Sequence, residues 1–130
     1  MQSVLRPGFE KLRIWQKAYD LMLKVHKLCK SLPREEKFRI RDQVERSSAA
    51  VVDNIAEGYG AFYFKNKIKC FYTSRREAVE TQNHLRKMNG KGYISRSVAD
   101  SLILDYEGLI RGINGMINYI KEKSSRRGKG

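Results

Sequence analysis

The chain has 130 residues, of which 41% are hydrophobic, and a net charge of +13 from 27 basic and 14 acidic side chains. This length predicts a single domain, and the hydrophobic fraction is too high for a disordered chain. No apolar run reaches the roughly 18 residues that span a bilayer, and the N-terminus lacks the apolar centre of a signal peptide, so we expect a soluble, cytoplasmic protein with a polyanionic partner.

Two amphipathic helices are predicted in the first half of the chain. Apolar residues recur at steps of three and four from Leu12 to Cys29, which indicates a helix over about residues 11–31. Pro33 suits the first turn of a second helix, because the amide hydrogen that proline lacks is unused at that position. This second helix is predicted to run to about residue 59, and its small residues favour close packing against a neighbour.

A third helix is predicted over about residues 64–88, with three apolar side chains on its inner face: Phe71, Ala78 and Leu85. The sequence "MNGKGY" that follows is a strong stop signal. Asn89 or Gly90 is predicted to adopt the left-handed backbone conformation that commonly ends a helix.

A fourth helix is predicted to begin near Ser95 or Ser97, either of which can act as the N-cap, and to end at about residue 123. No segment alternates apolar and polar residues as a strand does. Four amphipathic helices with short connections favour an all-α, antiparallel up-down four-helix bundle. The chain then divides into an N-terminal arm, the bundle and a basic, flexible tail, over residues 1–10, 11–123 and 124–130.

The positive charge is concentrated in the third helix and the C-terminal tail. Residues 65–96 hold 9 basic and 2 acidic side chains, and residues 121–130 hold 5 and 1. At about 100° per residue, four cations fall on one outer stripe of the third helix, beside Tyr72: Lys65, Lys69, Arg76 and Lys87.

Cations interleaved with an aromatic ring suit contacts with phosphates and a stacked base. We therefore predict that this stripe, including Tyr72, binds RNA or DNA together with three tail residues: Arg126, Arg127 and Lys129. The alternative is a solvated face that keeps the protein soluble. A membrane surface is less favoured, because we expect no exposed row of large apolar residues beside the cations.

Neither a catalytic site nor a metal site is predicted. His26 and Cys29 lie three residues apart, but almost four helical turns separate Cys70 from His84, so the paired spacing of a zinc site is missing. The second helix lacks the Glu-x-x-His pairs of di-iron bundles, and the chain has no nucleophile or phosphate-loop motif. We expect no cofactor. The cysteines are expected to be buried free thiols, with a disulfide as the open alternative.

The sequence "NIAEGYG", which begins at Asn54, has the composition of a site but is interpreted as the end of the second helix. A phosphate prefers the N-terminus of a helix, and this segment lies at a C-terminus. Gly58 or Gly60 is predicted to end the helix through a positive φ. Asn54 and Glu57 are expected to be polar partners of neighbouring helices or of another subunit, and Tyr59 is expected to pack at the end of the bundle.

Three stretches carry a resemblance to a known family: "FEKLRIWQKAYDLMLKVHKL", "QVERSSAAVVDNIAEGYG", and "EAVETQNHLRKM" followed by "GYI". Over about residues 9–122 the chain resembles the four-helix-bundle family that includes rRNA intervening-sequence proteins and the accessory variability determinants of diversity-generating retroelements. The resemblance implies an antiparallel four-helix bundle that assembles into a homopentameric ring and has no catalytic activity.

The resemblance also implies partners. Accessory variability determinants bind nucleic acid and a reverse transcriptase during mutagenic copying of a template RNA, and the basic face of the third helix would be the contact surface here. Family members often have a small Gly-Ser pair where this chain has Arg76 and Glu77. The more basic face favours the reverse-transcriptase accessory. The alternative is a stand-alone intervening-sequence protein that acts as a scaffold, with its charge serving solubility.

A second departure from the family lies in the second helix. Many members have proline before the "NIAEG"-type run, where this chain has Val52 and Asp53. We therefore expect a straighter second helix.

Overall fold

A computed structural model describes residues 8–127; residues 1–7 and 128–130, which include Lys129 and most of the predicted arm, lie outside that range. The described chain forms four α-helices: α1, Arg13–Cys29; α2, Ile40–Gly60; α3, Phe64–Gly90; and α4, Arg96–Arg126. Short 3₁₀ turns over Gly8–Lys11 and Arg34–Glu36 precede α1 and α2. No strand occurs within residues 8–127, so the all-α fold with four helices is confirmed.

The helices pack in chain order, with α1 also against α4. Two hydroxyl contacts fix the antiparallel register of α2 and α3. Ser47 Oγ lies 2.7 Å from Thr81 Oγ1, and Ser74 Oγ donates to the carbonyl of Val51 at 2.8 Å. All four residues are buried. Ser47, one of the small residues of the second helix that were predicted to allow close packing, therefore also shares a hydrogen bond with a hydroxyl of α3.

The antiparallel arrangement gives the bundle two ends. The α2–α3 end holds the connection between those two helices and the last turns of α4. The opposite end holds the α1–α2 and α3–α4 connections. Both connections meet at Glu36, as described below.

Two helix boundaries differ from the predictions by three residues or more. The start of the second helix at residue 33 is wrong, because Arg39 has a non-helical backbone (φ −122°, ψ −110°) that separates a short 3₁₀ turn from α2. α2 is then continuous through Val52 and Asp53. α4 extends to Arg126, three residues beyond its predicted end.

The left-handed residue that follows α3 is not one of the two predicted. Gly92, with φ of 81°, adopts the left-handed conformation in place of Asn89 or Gly90. The amide of Gly92 donates to the carbonyl of Asn89, and the amide of Tyr93 donates to the carbonyl of Met88, each at 2.9 Å. This pair of bonds is a Schellman motif. The N-cap of α4 is Ser95, whose Oγ accepts from the amide of Val98 at 3.1 Å, which confirms one of the two predicted caps.

The "NIAEGYG" segment is the C-terminal end of α2, as predicted, but neither of its glycines has a positive φ. Ala61, with extended backbone, ends the helix after Gly60. Gly58 is instead required for packing, because a Cβ there would lie 2.9 Å from the ring of Phe71. Asn54 donates to the carbonyl of Ala50 in its own helix at 2.9 Å, and it makes no hydrogen bond to another helix among residues 8–127.

Glu36 links the two connections at the opposite end. The residue is only 4% exposed. Its Oε2 accepts from the hydroxyl of Tyr93 at 2.6 Å and from the ammonium group of Lys91 at 3.1 Å. These two hydrogen bonds, that of Tyr93 first, lower the pKa of Glu36.

We expect Glu36→Gln to lower the melting temperature at pH 7 by several degrees, because the amide cannot replace the charged interactions of the carboxylate. A carboxyl group whose pKa is lowered by folding stabilises the fold above its usual pKa, 4.5 here, and loses that contribution as the pH falls through its lowered pKa. The gap between wild type and variant should therefore shrink in acid. Thermal unfolding at pH 7 and pH 3 measures this gap. Glu35→Gln, at the exposed neighbour, is the control, and a gap independent of pH would contradict the assignment.

Candidate nucleic-acid interface

The structure divides the predicted binding residues between two parts of the bundle. Lys65, Lys69 and Tyr72 lie on the first two turns and a half of α3, at the α2–α3 end. Lys87 lies 22 residues beyond Lys65 on the same helix, a separation of about 33 Å at 1.5 Å per residue. A single stripe along the whole helix is therefore too long to be one compact site.

The end of α4 joins the beginning of α3. Lys121 donates to the hydroxyl of Tyr72 at 2.7 Å, and its ammonium lies 5.3 Å from the centre of the same ring. The guanidinium of Arg127 lies 5.6 Å from the ring of Phe64. Arg126, the last residue of α4, and Arg127, its C-cap, therefore lie beside the first turns of α3.

Residues 59–72 and 119–127 together form what we call the basic–aromatic cluster. It contains seven aromatic residues and seven cations but one carboxylate, Glu122. Phe62 is 84% exposed and Tyr63 is 64% exposed. Their rings form an edge-to-face pair with centres 4.9 Å apart. The expectation that no large apolar side chains are exposed beside the cations is therefore wrong at this end of the bundle.

Ion pairing distinguishes the two ends. Five cation–carboxylate pairs occupy the opposite end: Arg41–Glu45, Arg46–Asp42, Arg86–Asp100, Arg96–Asp100 and Lys91–Glu36. The contact with Arg86 lowers the pKa of Asp100. Midway along α3, Arg76 lies 3.7 Å from Glu77 and 3.9 Å from Glu80.

Few cations of the basic–aromatic cluster have such partners. Arg126 pairs with Glu122 at 2.5 Å. Lys65, Lys69 and Lys123 have no ion pair among residues 8–127. Most cations of this end therefore have no carboxylate partner within residues 8–127, whereas the opposite end contains the five paired cations as well as unpaired ones such as Lys27, Lys30 and Lys87.

Lys67 has a structural role within the cluster. Its ammonium donates to the carbonyls of Gly58 at 3.2 Å and Tyr59 at 2.8 Å, which are among the last carbonyls of α2. A cation at a helix C-terminus also interacts favourably with the helix dipole. Lys67 thus fixes the start of α3 to the end of α2, on either side of the connection that carries Phe62 and Tyr63.

A cavity of 260 Å³ lies beside this connection. Four aromatic rings contribute to its lining, those of Tyr59, Phe64, Phe71 and Tyr119, and so do Lys67 and Lys123. Phe71 is buried, whereas Tyr59 is 45% exposed and also lies at the end of the bundle, as the sequence predicted. The lining of the cavity is therefore mostly apolar and includes two lysines.

The residues considered for metal or nucleophile chemistry are not brought together. Cys70 and His84 lie about 21 Å apart along α3. Within residues 8–127, no group of three or more His, Cys, Asp or Glu side chains could hold a metal ion. Both cysteines are free. Burial raises the pKa of the Cys29 thiol to about 11 and also raises that of Cys70, so neither thiol is ionised at neutral pH.

Comparison with known proteins identifies the family. The model of the 23S rRNA-intervening sequence protein family matches residues 10–115. The chain belongs to this family. A solved structure of a protein of unknown function, assigned to the S23 ribosomal protein family of Bacteroides thetaiotaomicron, has the same fold: it is 24% identical, with a TM-score of 0.75 over 81% of this chain and 95% of its own. No curated protein matches the chain.

Part of the cluster in this intervening-sequence protein was not predicted. Lys121, Lys123 and Tyr119 follow the end of the family match at residue 115, and only the packing of α4 on α3 shows that they belong to the surface. The "FYF" sequence that begins at Phe62 did carry a signal, because three consecutive aromatic residues are unusual for a connection between helices. None of the helices in residues 8–127 is long and apolar enough to cross a membrane.

Proposed function

We propose that this intervening-sequence protein is a soluble, cytoplasmic and non-enzymatic protein that binds nucleic acid through its basic–aromatic cluster. One observation supports the proposal most strongly: several cations without carboxylate partners are interleaved with five exposed aromatic rings at the α2–α3 end of the bundle. Phosphates neutralise such cations, and bases stack on such rings. No catalytic role, metal or cofactor is proposed.

Six cations of the cluster can contact phosphates, since Lys67 is used within the fold: Lys65, Lys69, Lys121, Lys123, Arg126 and Arg127. Each phosphate contact with a single strand contributes about −0.7 to the slope of log affinity against log salt concentration. Six contacts therefore correspond to a slope of about −4.

The test is binding of the wild-type protein to a fluorescent 20-nucleotide RNA at 50 mM and 200 mM salt. We expect the affinity to fall by about 10²-fold between the two concentrations, because contacts with phosphates release bound counterions. An absence of binding at 50 mM salt, or an affinity that does not depend on salt, would contradict the proposal.

Two further proposals concern the protein partners of this chain. The family match and the solved relative favour the stand-alone alternative over an accessory of a reverse transcriptase, because the matched family is that of rRNA intervening-sequence proteins. We propose self-association as well, as the homopentamer that the resemblance implies. Light-scattering mass, with and without the RNA, measures both the number of subunits and the number of strands bound.

A further inference from the structure

We infer that the nucleic acid bound by the basic–aromatic cluster is single-stranded, and that Phe62 and Tyr63 stack on its unpaired bases. This inference rests on the proposed function, whose salt-dependence test concerns phosphate contacts alone. The inference adds that the ligand is single-stranded and that uncharged rings contact its bases. Phosphate contacts and base stacking can therefore be tested separately.

The first argument is the exposure of the two rings. Phe62 is 84% exposed, and within residues 8–127 its ring contacts one other ring, that of Tyr63, in the edge-to-face pair. A phenylalanine in this position contributes little to the hydrophobic core, because most of its surface remains in water. The two ring planes are inclined by 89°, so they present faces in two directions.

The second argument is the rigidity of the support. Phe62 and Tyr63 belong to a connection of three residues between the ends of α2 and α3. Lys67 joins these two ends through its bonds to the carbonyls of Gly58 and Tyr59. A platform held on both sides loses little conformational freedom when a base stacks on it, and this favours binding.

The third argument concerns the form of the ligand. In a duplex the bases are already stacked and paired, so their faces are not available to an aromatic side chain, whereas a single strand presents them. The 260 Å³ cavity beside the connection provides further rings, and polar side chains that could read a base edge are few in its lining. We therefore expect little dependence on base sequence.

An anionic membrane is the other surface that attracts cations with aromatic residues. The large apolar side chains exposed in the cluster are rings only, one Phe and four Tyr: Tyr59, Phe62, Tyr63, Tyr72 and Tyr119. The exposed aliphatic side chains lie elsewhere: Leu23, Val79, Val98 and Leu104. A membrane-binding amphipathic helix combines Trp, Phe and Leu on one apolar face, whereas this cluster presents rings alone, most of them with a polar hydroxyl, so its composition favours nucleic acid.

The experiment compares the double variant Phe62→Ala/Tyr63→Ala with wild type, using a 20-nucleotide RNA and the duplex of the same sequence. We expect wild type to bind the single strand at least tenfold more tightly than the duplex. The double variant should lose about tenfold to a hundredfold in affinity for the single strand, with an unchanged salt slope. Its affinity for the duplex should stay the same.

Phe38→Ala is the matched control, because Phe38 is also 84% exposed and also lies near a lysine, Lys37, but at the opposite end. It should leave binding unchanged. Circular dichroism and thermal unfolding check that each variant is folded. A double variant that binds the single strand as wild type does, or a wild type that binds duplex equally well, overturns the inference. If wild type binds neither nucleic acid, the proposed function itself fails.

Vesicles containing phosphatidylserine complete the test. We expect the wild type to bind these vesicles no more tightly than the double variant does. Vesicle binding that requires Phe62 and Tyr63, with RNA binding independent of them, would overturn the inference in favour of a membrane partner.

Discussion

Replacing Lys65, Lys69 and Lys123 together by glutamine is expected to reduce affinity for single-stranded RNA by about 10²-fold or more at 50 mM salt. These three lysines have no ion pair among residues 8–127, so their positive charge is available to phosphates. The salt slope should become less steep by about 2, since each lost contact contributes about 0.7. Titrations at several salt concentrations measure both quantities. Glutamine preserves helix propensity, so the fold should not change.

The control for this experiment removes the same amount of charge from the opposite end. Lys27, Lys30 and Lys87 are exposed and belong to no ion pair of the described chain. Their replacement by glutamine should change affinity by less than about threefold, through the loss of long-range attraction alone. If both triple variants lose affinity equally, the charge acts diffusely and there is no localised site.

Gly58→Ala is expected to destabilise the protein by about 1–3 kcal/mol, because its Cβ would lie 2.9 Å from the ring of Phe71 and 3.2 Å from Cβ of Cys70. Phe71 is itself buried, so the clash cannot be relieved by a movement into solvent. Gly60, two residues later in the same helix, provides the matched comparison. A Cβ there would have no neighbour within 4 Å, and its φ is not positive.

We therefore expect Gly60→Ala to be neutral or to stabilise the protein by about 0.4–1 kcal/mol, through the lower entropy of the unfolded chain. Urea-induced unfolding of the two variants measures the difference. Equal effects of the two substitutions would show that the contact between Gly58 and Phe71 does not determine the packing of α2 on α3.

The four helices could be predicted because a single physical signal, the spacing of apolar residues at three and four, extends over many residues in each helix. The ends of the helices were harder to predict, because each end depends on individual hydrogen bonds. Gly92 rather than Gly90 adopts the left-handed conformation after α3, and which residue does so depends on where the last carbonyls of the helix find donors. The sequence offers several residues that could do so within a few positions.

The candidate site was predictable only in part, for a reason of geometry. Helical periodicity places Lys65, Lys69 and Lys87 on one side of α3, but it does not show that Lys87 lies about 33 Å from Lys65 at the other end of the bundle. Nor can it show that the end of α4 packs beside the beginning of α3, which brings in Lys121 and Lys123. Ion pairing across helices, which neutralises Lys91 through Glu36, is likewise a property of the fold.

The two bonds from Lys67 to the end of α2 have a consequence for the rates of binding. If the cluster binds a single strand as we propose, its unpaired cations attract the strand from a distance and act mainly on the association rate. Phe62 and Tyr63 would then act on the bound strand, because the two bonds of Lys67 hold the connection that carries their rings. We therefore expect Lys67 to act on the dissociation rate of the complex, whereas the unpaired lysines of this end act on its association rate.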